Sequence, residues 1–342
     1  MPELTFRGRF GTLPGEAGSQ KDSIMFKFVL PLAAVLMISA CGGAAVVGPA
    51  DGGTDGGNTD NGPITSATDI PAALRVNVNA IAYDPAAQTL NVQIASLDST
   101  PTTVQYRRTA ALDVAGYQAY SMQEDALDRL FIALAAQSPD GSVSATTVAD
   151  GGQFNKYFAG GVYTRKGAFE RPEIGTGPGA GQVSYAGDYA GLLNGGISQG
   201  GATSVLLPTE PGTDASLLPA QSARVSGNIF LNANFADNSV NGSIYNRMVV
   251  DTNTALSDVI LVATDITENG TFEGGAEDPD KNPVGAYGGA FGGRGANSVA
   301  GLVHLTEVIR EVTDEQEHGV FVLSRCGGPN DPGGVCSQTA PR

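Results

Sequence analysis

The sequence predicts an all-β protein, with a β-rich module followed by an antiparallel barrel. Three observations carry this prediction. Apolar and polar residues alternate over short stretches through most of 76–324, as in half-buried strands. Turn signals such as Asp84-Pro85, Asp140-Gly141, Asp237-Asn238 and Asn269-Gly270 punctuate those stretches. The 342 residues include 47 glycines and no tryptophan, and only 16% are charged. Average glycine usage is roughly 7%, and glycines inside strands permit the tight curvature that a barrel needs.

The first element is not a strand. An apolar run at 28–40 follows Met25-Phe26-Lys27 and ends in Ile38-Ser39-Ala40-Cys41. A charged start, an apolar middle and small residues at the end form the layout of a secretory signal. The run is shorter than the roughly 20 residues of a membrane-spanning helix. An ordinary secretory peptide and a short buried helix are the other readings. With Cys41 directly after Ala40, the segment resembles the lipobox of bacterial lipoproteins. That resemblance implies cleavage after Ile38, Ser39 and Ala40, and lipidation of Cys41 with diacylglycerol and palmitate. Residues 1–40 are then a signal peptide, and 1–24 lie upstream of Met25, read as the true start. Gly42 and Gly43 stand where lipoproteins kept in the inner membrane tend to carry aspartate, which favours the outer membrane.

Residues 41–63 are rich in Gly, Asp and Asn and cannot bury a core, so they read as a flexible tether. Its typical reach is about 25 Å. The Asp-Gly-Gly-Thr-Asp-Gly-Gly run at 51–57 is similar to a glycine-aspartate calcium repeat, but the apolar positions of a stacked repeat are missing. Residues 64–165 form the β-rich module. Val76, Val78 and Ala80 alternate with polar residues, and Leu90, Val92 and Ile94 do so again after the Asp84-Pro85 turn. A further strand is expected within 113–120 and another at 142–148. At 124–136, Leu127, Leu130, Phe131 and Leu134 fit the i, i+3, i+4, i+7 spacing, so a short helix is expected there.

Residues 166–325 read as a succession of barrel strands. Val183, Tyr185, Gly187, Tyr189 and Gly191 share one face. Val225, Gly227, Ile229, Leu231, Ala233 and Phe235 share another, with Ser226, Asn228, Phe230, Asn232 and Asn234 opposite. Val240, Gly242, Ile244 and Met248 resume the alternation after Asp237-Asn238. Strands at 259–266 and 271–274 flank Asn269-Gly270, a strong hairpin signal. Strands at 298–308 and 319–324 complete the set. Cys326 and Cys336 then bracket a Gly/Pro-rich loop. In an exported chain this reads as a disulfide closing the tail at 326–342, worth roughly 2–3 kcal/mol to that loop, with a redox pair or a metal site, which would want further Cys or His at ligand spacing, as the alternatives.

Two of these segments resemble a known family. Residues 225–244, with Asn234-Phe235-Ala236 at the turn and Val240-Asn241-Gly242-Ser243-Ile244 after it, resemble the strand–turn–strand of transferrin-binding-protein-like C-terminal β-barrels. Residues 285–301 resemble the family's closing segment, in which Phe291, Gly292, Ala296 and Gly301 fit. Arg294 stands at or beside the family's proline, and Val299 near its glutamate. The resemblance covers about 166–325 and implies an eight-stranded barrel preceded by a handle-like module, lipid-anchored and often exposed at the cell surface. It transfers no ligand-binding residue.

The chemistry is sparse. Lys and Arg number 19 against 35 Asp and Glu, a net charge of −16, which disfavours nucleic acid and anionic membrane surfaces. Asp278-Pro279-Asp280 begins like a calcium loop, but Pro283 replaces the required glycine and Gly289 the required glutamate. Asp251-Thr252-Asn253 lacks the glycine of an aspartic protease. His304 and His318 are the only histidines, and no nucleophile elbow accompanies them. Tyr185 and Tyr189, and Phe154, Tyr157 and Phe158, read as core, with a ligand surface as the alternative. The expectation is therefore a non-enzymatic lipoprotein, tethered to the outer membrane through its lipid and displayed at the cell surface. It would bind an extracellular protein or small ligand, without catalytic residues, cofactor or metal. Two rivals stand beside it: an envelope structural or assembly factor facing the periplasm, and a hydrolase with an unrecognised site.

Overall fold

The computed structural model describes residues 65–97, 100–177, 179–309 and 312–337. The cleavage motif Ile38, Ser39 and Ala40, the lipidation residue Cys41 and the tether lie outside these residues.

Seven antiparallel strands follow in sequence order: β1 (Val78–Asp84), β2 (Thr89–Ile94), β3 (Thr103–Arg108), β4 (Gln118–Met122), β5 (Phe131–Gln137), β6 (Val143–Asp150) and β7 (Ala159–Arg165). A one-turn helix, α1 (Ala72–Arg75), leads into them. The sheet is nearly closed. Its edge strands meet only near their starts, where Asn77 N–H donates to Ala159 O (3.0 Å) and Ala159 N–H to Asn77 Oδ1 (3.2 Å). The register places Leu90, Val92, Val104, Tyr106, Tyr120, Phe131 and Val148 on one face. This face is the inside of the cup.

The helix expected at 124–136 does not form. Residues 123–130 make a loop, and Phe131–Gln137 is strand β5. The helical spacing there is produced by a strand buried on both faces, since Phe131 to Ala136 are all buried. A continuous apolar run lacks the period-2 signal that marks a one-sided strand. The strand expected at 113–120 is β4, shifted toward Met122 behind a 3₁₀ turn at Ala110–Leu112.

Eight further strands close into an antiparallel barrel: β8 (Gln182–Ile197), β9 (Gln221–Asn234), β10 (Ser239–Val249), β12 (Val259–Asp265), β13 (Thr271–Glu277), β14 (Pro283–Gly292), β15 (Ser298–Thr306) and β16 (Gln316–Arg325). The two-residue β11 (Thr254–Ala255) adds only to β10. Pairing runs β10-β12-β13-β14-β15-β16-β8-β9, and β9–β10 hydrogen bonds close the circle.

The barrel is filled by side chains, as an eight-stranded barrel generally is. At one end Phe291 meets Phe235, Phe272 and Tyr185, with ring centroids 5.1, 5.2 and 5.3 Å away. Phe169, from the segment between the two sheets, caps this cluster by stacking on Phe235. Toward the other end lies a buried ion pair. Arg247 Nη2 donates to Glu317 Oε2 (2.6 Å), and Tyr189 Oη donates to Glu317 Oε1 (2.6 Å). Arg247 turns inward at a β-bulge, where the β9–β10 register shifts and Asn246 takes φ 52°.

The seven-stranded sheet packs on the outside of the barrel. Ala190, Leu192, Ala290, Ala300, Leu302 and Val320 point out of the barrel wall into one apolar cluster with β5, β6 and β7. Polar ties cross this seam. Arg165 Nη1 donates to Asn269 O (2.5 Å), Tyr117 Oη to Asp188 O (2.8 Å) and Thr147 Oγ1 to His318 O (3.2 Å).

Candidate binding face

Strand direction gathers inter-strand connections at one end of the molecule, and five of them form the candidate face. Those of the seven-stranded sheet are 95–102, 123–130 and 151–158, and those of the barrel are 198–220 and 307–315. Hydrogen bonds join them across the two sheets. Gln153 Nε2 donates to both Leu127 O and Leu217 O (2.8 Å each), and Leu207 N–H donates to Gln123 Oε1 (2.8 Å). Arg129 fastens the 151–158 loop. It pairs with buried Asp150 and donates to Gln153 O (2.6 Å) and Lys156 O (2.9 Å).

These loops carry large apolar side chains in solvent. Leu97 is 61% exposed, Phe154 55% and Val312 47%, with Leu127, Leu207 and Leu217 also exposed. Water-facing groups of this size are common singly, but a cluster on one face marks an interaction site. Among the described residues of these loops the exposed charge is mostly negative. Glu124, Asp125, Asp128, Glu210, Asp214, Glu307 and Asp314 are exposed on the same loops, against Lys156. A cleft of about 1050 Å³ separates the 151–157 loop from the 309–316 segment, floored by Leu193 and Asn194. Beneath it Glu315 is buried and accepts from Ile309 N–H (2.8 Å), and burial raises its carboxyl pKa.

The aromatic residues divide between the two sequence readings. Tyr185 and Tyr189 are fully buried in the barrel, while Phe154 is exposed on the loop face. Tyr157 and Phe158 pack partly buried against the core. The apolar loop residues Leu97, Leu127, Leu217 and Val312 escape sequence reasoning. Leu97 and Val312 stand isolated within polar stretches, which equally describes a residue folded under a loop, and Leu127 reads as part of the helical spacing at 124–136.

Neither histidine joins an acid and a hydroxyl in a catalytic arrangement. His304 and His318 are directly opposite on β15 and β16, with stacked rings 4.2 Å apart, and both point into the seam. His304 Nδ1 lies 3.0 Å from Ala73 O. Burial depresses both imidazole pKa values, that of His318 strongly. Asp251 is paired with Arg224 (2.6 Å), which also reaches Ala111 O in the 3₁₀ turn between β3 and β4. Among the described residues no group of three or more His, Cys, Asp or Glu could hold a metal ion. Asp278 accepts from Asn282 N–H (2.9 Å) within its own turn. Cys326 and Cys336 form a disulfide with Cα atoms 5.6 Å apart.

No family model and no curated protein matches the sequence. Solved structures do match. Transferrin binding protein B of Haemophilus parasuis matches with 11% identity and a TM-score of 0.33, over 72% of this chain and 54% of its own. Transferrin binding protein B of Neisseria meningitidis matches with 13% identity and a TM-score of 0.32, over 73% of this chain and 52% of its own. A protein described as a surface lipoprotein matches with 14% identity and a TM-score of 0.31, over 78% of this chain and 99% of its own. The match thus spans about half the length of the two transferrin binding proteins.

Proposed function

We propose that this chain is a lipid-anchored, non-enzymatic binding protein displayed at the outer-membrane surface, and that its acidic, apolar loop face receives an extracellular protein. The observation that supports this most is the position of Thr65. Thr65 lies beside Tyr83, Asp84, Gln137, Thr164 and Lys166. That is the end of the seven-stranded sheet opposite the loop face. β16 alone spans ten residues, about 30 Å at some 3.3 Å per residue. A tether leaving there for a lipid on Cys41 would direct the five loops away from the membrane. The fitting partner surface is basic with an apolar centre, since exposed acids ring Phe154, Leu127 and Val312. Transferrin, named in two of the matched proteins, is not part of the proposal, because no contact residue carries over to this chain.

Protease shaving of intact source cells tests the reading, with a periplasmic protein as leakage control. Release of peptides from 95–102, 123–130, 151–158 and 307–315 is the expected result. Protection that disappears on permeabilisation would overturn surface display and leave the periplasm-facing role.

A further inference from the structure

The seven-stranded cup opens at the end away from the loop face, into a cavity of about 610 Å³ between β1 and β7. Volumes of this order suit small molecules. Register puts Gln137, Ser144, Thr146, Val162 and Thr164 on the inner face, in line with Val148. Toward the loop end that face is apolar, but here four of these five residues are polar. The other face of β6 and β7 is packed on the barrel, so these are not the solvent side of a half-buried strand.

Thr146 is 2% exposed and Ser144 8%. Ser144 Oγ and Thr164 Oγ1 bond to each other at 2.7 Å. The Thr146 hydroxyl has no partner among the described residues, and it is open to the cavity rather than sealed. A buried hydroxyl without a partner is costly, and a ligand that supplies one recovers that cost. Gln137, opposite Ser144, adds a half-buried amide. Hydroxyls and amides both donate and accept. The charged groups leave little to select an ion. Asp84 caps its own turn, accepting from Ala86 and Ala87 N–H (2.9 and 3.0 Å), and exposed Lys166 has the opposite sign. The Arg165 guanidinium is bonded across the seam. Apolar surface comes from Ile81, Val162 and the ring of Tyr83, whose hydroxyl donates to Gln118 Oε1 (3.2 Å). A pyranose divides its surface in the same way, with an apolar C–H face and a rim of hydroxyls.

We infer that this cavity binds an uncharged saccharide unit, one hydroxyl of which meets Thr146 Oγ1. The site is distinct from the protein-docking face and does not depend on which side of the membrane the protein occupies. The sugar belongs either to a free glycan or to a glycolipid headgroup, since the proposed anchoring turns the cavity toward the membrane.

The test is saturation-transfer NMR on the full lipidated chain in phospholipid nanodiscs. The probes are the methyl glycosides of glucose, galactose, mannose and N-acetylglucosamine. Saturable binding of at least one is expected, with a Kd of about 1 mM for a ligand this small. Thr146→Val removes the hydroxyl and keeps the shape of the side chain. It should weaken that glycoside about fivefold, and the melting temperature should hold or rise because no internal hydrogen bond is lost. Gln137→Leu should weaken it about threefold. Methyl glucuronide should bind no tighter than methyl glucoside. Competition by a nanodisc glycolipid bearing the bound sugar assigns a headgroup, and its absence a free glycan; both outcomes support the site. No saturable transfer from any of the four, or full affinity in both variants, overturns the site. Full affinity in Thr146→Val alone overturns the hydroxyl contact, and tighter binding of the glucuronide overturns the uncharged ligand. Because the measurement uses purified protein, it can fail while surface display holds, and the reverse.

Discussion

Arg247 and Glu317 face each other inside the barrel with no exposure to solvent. Their mutual charge and Tyr189 Oη offset the desolvation that each would otherwise suffer. Arg247→Met leaves Glu317 buried and unpaired, and should cost about 3–5 kcal/mol in urea unfolding. Replacing both, as Arg247→Met with Glu317→Leu, should recover most of that loss. Gly319 makes room for this cluster: a Cβ there would lie 2.0 Å from Tyr189 Oη. Tyr189 is held by its hydrogen bond, so Gly319→Ala should cost about 1–3 kcal/mol. The histidine pair makes a prediction of the opposite kind. Burial lowers both folded pKa values below the unfolded value of about 6.5. Below that pH the unfolded chain takes up protons that the folded one refuses, so stability falls as pH drops through about 6.5. Urea midpoints compared at about pH 7.5 and pH 5 should fall less steeply for His318→Phe than for the parent. Equal slopes would show that the seam does not carry this dependence.

At the scale of elements, the two sheets meet where glycines thin them. Gly161 of β7 faces Leu302 of β15, and a Cβ on it would lie 2.6 Å from both Leu302 Cδ2 and Thr146 O. One of those neighbours is backbone and cannot yield cheaply. Gly161→Val should therefore force the sheet off the barrel wall, raising hydrogen exchange along β7 and β15 while the barrel interior keeps its protection. Uniform loss of protection would mean that the sheets fold as one unit. The 124–136 segment teaches a related point. Its apolar spacing suits a helix, but tertiary burial of both faces makes it a strand. The barrel strands were more legible, because one side of each faces the filled interior and the other often faces solvent, leaving a clean alternation in β9 and β10.

For the whole molecule, the disulfide and the loop face act on different properties. The Cys326–Cys336 bridge closes a short loop that is mostly exposed and lies beyond the last strand. Its entropic effect belongs to the tail. Cys336→Ser should make the tail protease-sensitive and shift the barrel's melting temperature little. The loop face concentrates negative charge on five loops drawn from both sheets. Association with a basic partner should slow steeply as salt rises, and Asp125→Lys with Asp128→Lys should slow it further without changing the melting curve.

The sequence by itself determined the β class, most strand positions and the cysteine pairing, and it is the sole source of the expectation of a lipid anchor. Each of these rests on local information: a period of two, a turn dipeptide, two cysteines across a Gly/Pro loop, an apolar run ending in Cys41. It also carried the barrel's inward face, since Val225, Ile229 and Leu231 fill the interior together. Only the tertiary structure decided that Leu97, Leu127, Phe154 and Val312 share one end, that His304 stacks on His318, and that Arg247 finds Glu317. Those juxtapositions join residues tens to hundreds of positions apart. They depend on strand order, on one bulge and on how the sheet seats against the barrel, none of which leaves a periodic trace in the chain.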